Sequence, residues 1–215
     1  MFFALLNGSI SVSKAFSALP RVDTLILAGG NSRRMGSDKA LLLWHGIPLL
    51  QRVAQVAAAT TERVHILTPW PERYTGVVDP GWHLWRESTP NRGPLLAFQE
   101  GVARLRAWDI PPDWVLLLAC DMPRLDEQVL REWRHRLGSL PPEIAAALPK
   151  TQRGWEPLCG FYRLSQMHQL ETFLQTGGGS FQGWLPGIPT VVLPLLQEQM
   201  LTNCNVPADL ESEDP

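Results

Sequence analysis

The composition of this chain is that of a globular protein with near-balanced charge. It has 215 residues, of which 45% are hydrophobic and 19% charged, enough to bury a sizeable core within one domain. Nineteen basic and twenty-one acidic residues give a formal charge of -2, which excludes the broad basic surface of proteins that bind duplex nucleic acid or anionic membranes. We therefore expect neither a nucleic acid nor a membrane as a partner.

The cysteines and the apolar runs favour a cytoplasmic location. Cys120, Cys159 and Cys204 are odd in number and far apart, which favours a reducing compartment over a disulfide framework or a CxxC metal site. No apolar run reaches the roughly 18 residues of a membrane span. The opening "MFFALLNGSISVSKAFSALPR" lacks the basic segment that precedes the apolar run of a secretory signal. We expect residues 1–21 to form a disordered extension and residues 211–215 a C-terminal tail.

Apolar runs alternate along the chain with amphipathic segments. The runs predict strands at 22–28, 63–69, 83–88, 114–121, 144–150, 156–163 and 190–195. The amphipathic segments predict helices around 48–60, 94–107, 126–137, 164–176 and 206–212. Such alternation predicts an α/β fold with a mostly parallel sheet. The turn "TQRGW" predicts a hairpin that adds antiparallel strands to the second half of the sheet.

Two of the predicted strands are candidates for the centre of the sheet. The runs at 22–28 and 114–121 contain almost no polar residues, as expected of strands buried on both faces. Each run then ends in glycine or polar residues, at what would be the carboxyl edge of the sheet. Ligands of open α/β sheets bind at that edge, so the loops after these strands are the predicted functional site.

The first of these strands leads into "LILAGGNSRRMGSDKALLLWHG" at 25–46. The dinucleotide pattern is absent because the first two glycines are adjacent, and the P-loop pattern fails because two residues separate Gly36 from Lys39. Gly29 and Gly30 still allow the backbone to bend so that successive N–H groups bind one anion.

Basic side chains in the same stretch would strengthen an anion site. Arg33, Arg34 and Lys39 can donate charge-assisted hydrogen bonds to phosphate oxygens. The alternative is a solvated turn whose basic residues only face water.

The second strand ends in "LLLACDMP" at 116–123. A carboxylate that leaves an apolar strand is partly desolvated and therefore costly without a cation. Mg²⁺ bound through one or two carboxylates and bridging phosphate oxygens would supply that cation. The alternative for Asp121 is to cap the N-terminus of the following helix.

These motifs resemble a known family. The stretch "LAGGNSRRMGSDKALLLWHGIPLL" is similar to the signature L-A-G-G-x-S-x-R-M-G-x-D-K of the nucleotidyltransferases that act on the molybdenum cofactor. The segments "NRGPLLAF", "ACDMP", "EPLCGFYR" and "NCNVPADL" extend the resemblance over about residues 22 to 210. The triplet Ala28-Gly29-Gly30 favours the guanylyltransferases of this family, because the cytidylyltransferases typically carry Ala-Ala-Gly at these positions.

The resemblance implies a fold, a reaction and a set of partners. It implies a Rossmann-like three-layer nucleotidyltransferase fold formed by residues 22–210 as a single domain. The implied reaction joins GMP from GTP to the terminal phosphate of molybdopterin, with Mg²⁺ as the cofactor and pyrophosphate as the second product. GTP and molybdopterin are then the substrates, and molybdoenzyme maturation proteins are further partners.

The resemblance also implies roles for individual residues. Lys39, Arg34 and Asp121 would be catalytic, and Asp121 would also hold the metal. The implied nucleotide-binding positions are Leu27, Ala28, Gly29, Gly30, Lys39, Glu87 and Asp121.

Several positions depart from the family or keep two interpretations. Glu87 stands where the family usually has Asp, and Thr68 stands where some members have Asn. One of Asn203 and Asn205 would reach the acceptor or the metal, or both belong to an Asx turn. Trp155 is a candidate neighbour of the acceptor pterin.

Two other functions stay open at this point. One is a nucleotidyltransferase of the same fold that uses another substrate, such as CTP with molybdopterin or a sugar phosphate as acceptor. The other is a non-catalytic carrier of nucleotide or molybdopterin. A carrier would be expected to have lost Lys39 or Asp121, and both are present.

Overall fold

The structure is a computed structural model that describes residues 19–29, 38–195 and 197–204. Most of the predicted extension at 1–21, the helix at 206–212 and the tail at 211–215 lie outside the described residues, and all three remain predictions. Among the described residues, no helix combines the length and apolar character needed to cross a membrane.

One mixed sheet organises the fold. The strands in chain order are β1 (Val22–Leu27), β2 (Leu43–Trp44), β3 (Ile47–Pro48), β4 (Arg63–Thr68), β5 (His83–Arg86), β6 (Trp114–Ala119), β7 (Ala146–Thr151), β8 (Gly154–Trp155), β9 (Cys159–Arg163) and β10 (Thr190–Leu193). β2 and β3 form a separate hairpin. The others form an eight-stranded sheet in the order β10-β7-β9-β6-β1-β4-β5, with β8 attached to β7. The seven predicted strands correspond to β1, β4, β5, β6, β7, β9 and β10, whereas the short β2, β3 and β8 were not predicted.

The strand directions confirm the expected sheet. β1 is parallel to β4 and β6, β4 is parallel to β5, and β7 is parallel to β10. β9 runs antiparallel to both β6 and β7. The hairpin predicted between 144–150 and 156–163 is present, because β9 pairs with β7 with Ala146 opposite Tyr162. Within the predicted turn "TQRGW", the short β8 also pairs with the end of β7, with Lys150 opposite Trp155. The sheet is therefore mostly parallel, with antiparallel strands in its second half.

Helices cover both faces of the sheet. α1 (Leu49–Ala58) and α3 (Glu127–Leu137) pack on one face, and α2 (Pro94–Arg106), α4 (His168–Gln175) and α5 (Phe181–Trp184) pack on the other. The three-layer arrangement is thus confirmed, and α1, α2 and α3 are the first three predicted helices.

The remaining helices differ from the sequence prediction. The segment predicted as one helix at 164–176 begins with a 3₁₀ turn, Leu164–Gln166, before α4. The four-residue α5 was not predicted because it is too short to show a helical period.

The core follows from the alternation of side chains along the central strands. On β1, Ile26 faces the layer of α1 and α3, whereas Leu25 and Leu27 face the layer of α2. On β6, Leu116 faces the layer of α1 and α3, and Leu117 faces the layer of α2. Both strands are buried along their whole length, as their apolar sequences predict.

The predicted end of α4 at "TGGGS" is also observed. The N–H of Gly178 donates to the carbonyl of Phe173 at 3.2 Å, and that of Gly177 donates to the carbonyl of Leu174 at 3.1 Å. This is a Schellman C-cap, which requires a left-handed residue after the helix. Gly177 supplies it with φ of 87°.

Candidate active site

A cavity of about 320 Å³ opens at the carboxyl edge of β1 and β6. These strands are parallel neighbours with Leu27 opposite Ala119, so the residues that follow them meet at one place. Five predicted site residues line this first cavity: Leu27, Ala28, Gly29, Lys39 and Asp121. The expected location of the functional site therefore coincides with a cavity that these residues share.

Lys39 and Asp121 form the charged centre of the first cavity. Lys39 Nζ lies 3.8 Å from Asp121 Oδ2, and their side chains are 24% and 17% exposed. Lys39 begins a 3₁₀ helix, Lys39–Leu41, whose N-terminus is capped by Asp38. A partly exposed ion pair of this kind can be shared with a ligand, because the ammonium can donate to phosphate oxygens while the carboxylate binds a cation.

Asp121 is held in an environment that disfavours its negative charge. Burial raises the pKa of this carboxyl, and the nearby Lys39 ammonium acts in the opposite direction. Its Oδ1 is buried, and none of the residues that the structure describes donates a hydrogen bond to it. The alternative role of helix capping is wrong, because Asp126 caps α3 by accepting from the N–H of Val129 at 3.0 Å.

The donor set around Asp121 fits a hard divalent cation. The buried Oδ1 is an acceptor in need of a positive partner, and Asn203, which lines the same cavity, offers a neutral carbonyl oxygen. Within the described ranges, no group of three or more His, Cys, Asp or Glu side chains forms a metal cluster. The residues therefore fit Mg²⁺ held by few protein ligands, which keeps its remaining positions for water and phosphate oxygens.

The last described residues of the chain hydrogen-bond to the segment that follows β6. The N–H of Cys204 donates to the carbonyl of Asp121 at 2.9 Å. This hydrogen bond holds the adjacent Asn203 in the cavity wall, although Asn203 is far from Asp121 in the sequence. Asn205 lies outside the described residues, so its role remains a prediction.

A second cavity of about 250 Å³ adjoins the first and shares Leu27, Gly29 and Pro94 with it. Glu87 lines this second cavity and is only 7% exposed. Burial raises the pKa of the Glu87 carboxyl, and the nearby charge of Glu100 raises it further. The N–H of Glu87 donates to the carbonyl of Thr68 at 2.8 Å, which fixes the turn that presents the carboxylate.

Gly29 lies where the two cavities meet and has no room for a side chain. A Cβ at this position would lie 2.8 Å from Glu87 Oε2 and 3.0 Å from Pro69 Cδ. The preceding residue, Ala28, donates its N–H to the carbonyl of Leu67 at 2.9 Å, which extends the pairing of β1 with β4 by one residue. The absence of a side chain at Gly29 therefore allows its backbone to pack directly against the Glu87 carboxylate in the wall of the second cavity.

The structure adds two residues to which the sequence motifs assign no individual role. Trp70 lines the first cavity, and Asn91, with φ of 67°, lines the second. Trp70 follows β4 at the carboxyl edge, so the edge rule that identified Asp121 also applies to it. Trp155 is not among the described residues that line the two cavities, and it packs instead against the core layer of α2.

Other predicted site residues either lie outside the described part of the chain or have a structural role. Gly30, Arg33 and Arg34 lie outside the described residues, so their roles remain predictions. Thr68 is described and fully buried, and its hydroxyl accepts a hydrogen bond from the N–H of Trp70 at 3.2 Å. This position therefore orders the turn after β4.

A three-layer α/β sheet with a lysine after its first strand and a carboxylate after its central strand is the arrangement of a nucleotidyltransferase. Residues 24–186 match the MobA-like NTP transferase domain family, and the chain belongs to that family. A Nostoc protein described as a probable molybdenum cofactor guanylyltransferase is 48% identical over 186 residues, covering 86% of this chain and 87% of the relative. A Synechococcus elongatus protein with the same description is 43% identical over 193 residues, covering 87% and 95%.

A solved structure shares the fold. The molybdopterin-guanine dinucleotide biosynthesis protein A from Archaeoglobus fulgidus matches with a TM-score of 0.69 and 20% identity, covering 88% of this chain and 95% of that one. At this identity the likeness concerns the fold.

Proposed function

We propose that this protein transfers GMP from GTP to the terminal phosphate of molybdopterin, giving the guanine dinucleotide form of the cofactor and pyrophosphate. The observation that carries the proposal is the Lys39–Asp121 pair in a cavity that adjoins the cavity of Glu87. The names of the curated relatives support this nucleotide and this acceptor.

Glu87 supports guanine as the base. An ionised carboxylate only accepts hydrogen bonds, and guanine offers two adjacent donors, N1–H and the 2-amino group. Cytosine presents the acceptor N3 on the corresponding edge, which would repel the carboxylate. A base in the second cavity would leave the phosphates to extend toward Lys39, because the two cavities meet at Leu27 and Gly29.

The charges around the first cavity suit a triphosphate. Lys39 supplies a point charge for phosphate oxygens. Helix α2 begins at Pro94, which lines both cavities, and the positive end of its dipole favours a nearby anion. Arg34 would add a second cation, as its place in the sequence motif predicts.

Asp121 would hold Mg²⁺, with Asn203 as a further oxygen donor. A bound Mg²⁺ would supply positive charge that neutralises the phosphates and the leaving group. The residues of the chain do the rest: Asp121 fixes one side of the phosphate site, and Lys39 offsets the repulsion between the two polyanionic substrates.

The reaction requires no protein nucleophile. An oxygen of the acceptor phosphate forms a bond to the α-phosphorus of GTP, and the bond from that phosphorus to the oxygen that bridges to the β-phosphate breaks. The electron pair of the broken bond leaves with pyrophosphate. Positioning and electrostatic stabilisation carry such transfers almost entirely, which agrees with a site built from a lysine, carboxylates and backbone.

The test is a panel of nucleotides with one acceptor. The purified protein is incubated with Mg²⁺, molybdopterin and each of the four NTPs, and the product is identified by mass spectrometry alongside pyrophosphate release. We expect GMP on the pterin phosphate. CMP on the product would overturn the base assignment, and GTP binding without pyrophosphate release would identify a carrier. A cytoplasmic location and delivery to molybdoenzyme maturation proteins remain predictions from the sequence.

A further inference from the structure

Tyr74 is a fully buried tyrosine whose hydroxyl reaches the active-site loop. Its side chain packs in the core layer of α1 and α3, and no part of the residue is exposed. The hydroxyl donates to Asp38 Oδ2 at 2.8 Å. Burial raises the pKa of Tyr74, and the hydrogen bond to Asp38 raises it further, so the phenol remains a donor at neutral pH.

Asp38 uses both carboxylate oxygens to define the start of the 3₁₀ helix. Oδ1 accepts from the N–H of Ala40 at 3.1 Å, which caps that helix. Oδ2 accepts from Tyr74 and lies 3.6 Å from Arg73 Nη1. The residue that directly precedes Lys39 is therefore tied both to its own helix and to the segment after β4.

Thr68 extends this connection to the end of β4. Its hydroxyl accepts from the N–H of Trp70 at 3.2 Å, and the turn that follows leads to Tyr74, whose N–H donates to the carbonyl of Pro71 at 3.0 Å. The contacts form a chain from the sheet edge through Tyr74 and Asp38 to the backbone of Lys39. A lysine has a flexible four-carbon stem, so the placement of its ammonium depends on how firmly its backbone is fixed.

We propose that Tyr74 and Asp38 are positioning residues that hold Lys39 in its orientation toward Asp121. This inference rests on the proposed function, in which Lys39 neutralises the phosphates of GTP. Neither residue needs to touch the reacting atoms, since their effect passes through Lys39.

The kinetic test asks whether the effect of Tyr74 depends on Lys39. Tyr74→Phe removes one hydroxyl and keeps the ring, and we expect kcat/KM for GTP to fall about tenfold, as for the loss of one hydrogen bond to a charged group. In a Lys39→Met background, the same change should have no further effect. Equal losses in both backgrounds, or no loss in the wild-type background, would overturn the proposal.

Matched variants separate positioning from general loosening of the fold. Asp38→Asn keeps the size of the side chain and one of its acceptor oxygens, and should retain more activity than Asp38→Ala. Thr24→Val removes another buried hydroxyl, which bonds to Thr61 at 2.7 Å away from both cavities, and should leave kcat/KM unchanged. A loss with Thr24→Val equal to that with Tyr74→Phe would indicate a merely structural effect and overturn the proposal.

A measurement without substrate distinguishes failure of this inference from failure of the proposed function. The chain has three lysines, Lys14, Lys39 and Lys150, so the Cε signals of ¹³C-labelled lysine can be assigned by substitution. Tyr74→Phe should shift or broaden the Lys39 signal and leave the Lys150 signal in place. An unchanged Lys39 signal would overturn the positioning role. A shifted Lys39 signal, combined with wild-type protein that transfers no GMP, would overturn the proposed function alone.

Discussion

Glu87 Oε2 lies 2.8 Å from the point that a Cβ on Gly29 would occupy. The Glu87 carboxylate, which would bind the base, and the Gly29 backbone, which would contact the nucleotide, are thus packed directly against each other. Gly29 cannot be enlarged without moving Glu87 or Pro69, because the added Cβ would also lie 3.0 Å from Pro69 Cδ.

Gly29→Ala should therefore weaken GTP binding. The added methyl group must displace Glu87 or Pro69, and we expect KM for GTP to rise about tenfold or more, equivalent to about 1.4 kcal/mol of binding free energy. Steady-state kinetics with varied GTP measure this change. Gly76→Ala is the control, because a Cβ there meets no atom of the described residues within 4 Å. The same rise in KM for both variants would contradict the steric argument.

Lys39→Met should lower kcat while leaving the fold intact. Removing one preorganised electrostatic group typically costs about 10²–10³ in kcat. The side chain of Lys39 is 24% exposed, and methionine keeps most of its apolar stem, so most of the packing is retained. Lys150→Met removes an exposed lysine of the same charge and should keep the wild-type rate. Pyrophosphate release under saturating substrate gives kcat, and a wild-type rate for Lys39→Met would reject the assigned role.

Asp121→Asn should lose activity without losing stability. We expect a fall in kcat of about 10²–10³ together with a higher Mg²⁺ requirement. Burial raises the pKa of Asp121, which means that its ionised form is costly in the fold, so a neutral amide should not reduce the melting temperature. Metal-dependent kinetics and thermal unfolding without Mg²⁺ measure the two effects. A strong drop in melting temperature would show that Asp121 serves the fold and not the metal.

The parts of the fold that the sequence predicts are those set by local patterns. β1 and β6 are largely apolar runs, and the C-cap at Gly177 requires a left-handed residue, so both were predictable from neighbouring residues alone. The β2–β3 hairpin and the four-residue α5 were not, because elements this short carry no period. Tertiary packing decides whether they form.

In the site, too, local sequence patterns predict some residues, whereas contacts between distant segments of the chain cannot be predicted from them. Lys39 and Asp121 could be predicted because each lies in the segment that follows a central strand. The contacts of Tyr74 with Asp38, and of Cys204 with Asp121, join segments far apart in sequence, and no local pattern encodes them. These contacts therefore had to be observed.

Gly160→Ala should destabilise the fold without touching the cavities. Gly160 lies in β9, and a Cβ there would lie 2.4 Å from Leu148 Cδ2 and 2.9 Å from the carbonyl oxygen of Ala147. Because the nearby oxygen belongs to the backbone, the strand itself must shift, at a cost of about 1–3 kcal/mol. Urea unfolding measures this change. Gly187→Ala, where the described residues leave open space around the added Cβ, should stay close to wild type, and equal stability of both variants would contradict the prediction.

His65 should make the protein less stable at pH values below neutrality. Its Nε2 lies 3.0 Å from Asp23 Oδ2, and both side chains are almost completely buried. Burial is the main cause that lowers the pKa of His65, and the charges of His83 and Arg63 lower it further, while Asp23 acts in the opposite direction. The folded protein therefore favours neutral His65.

The sign of the pH dependence follows from this lowered pKa. The unfolded chain takes up a proton at about pH 6.5, whereas the folded chain resists it, so the stabilisation is present above that pH and is lost below it. The loss approaches about 1.4 kcal/mol per pH unit until the folded pKa is reached. Urea unfolding of wild type and His65→Gln at pH 7.5, 6.5 and 5.5 measures this contribution. Burial raises the pKa values of Glu87 and Asp121, which makes their contribution to stability rise as the pH falls. Both proteins contain these two carboxyls, so the difference between the two profiles isolates His65. His65→Gln should show a flatter profile, and parallel profiles for the two proteins would place the acid sensitivity elsewhere.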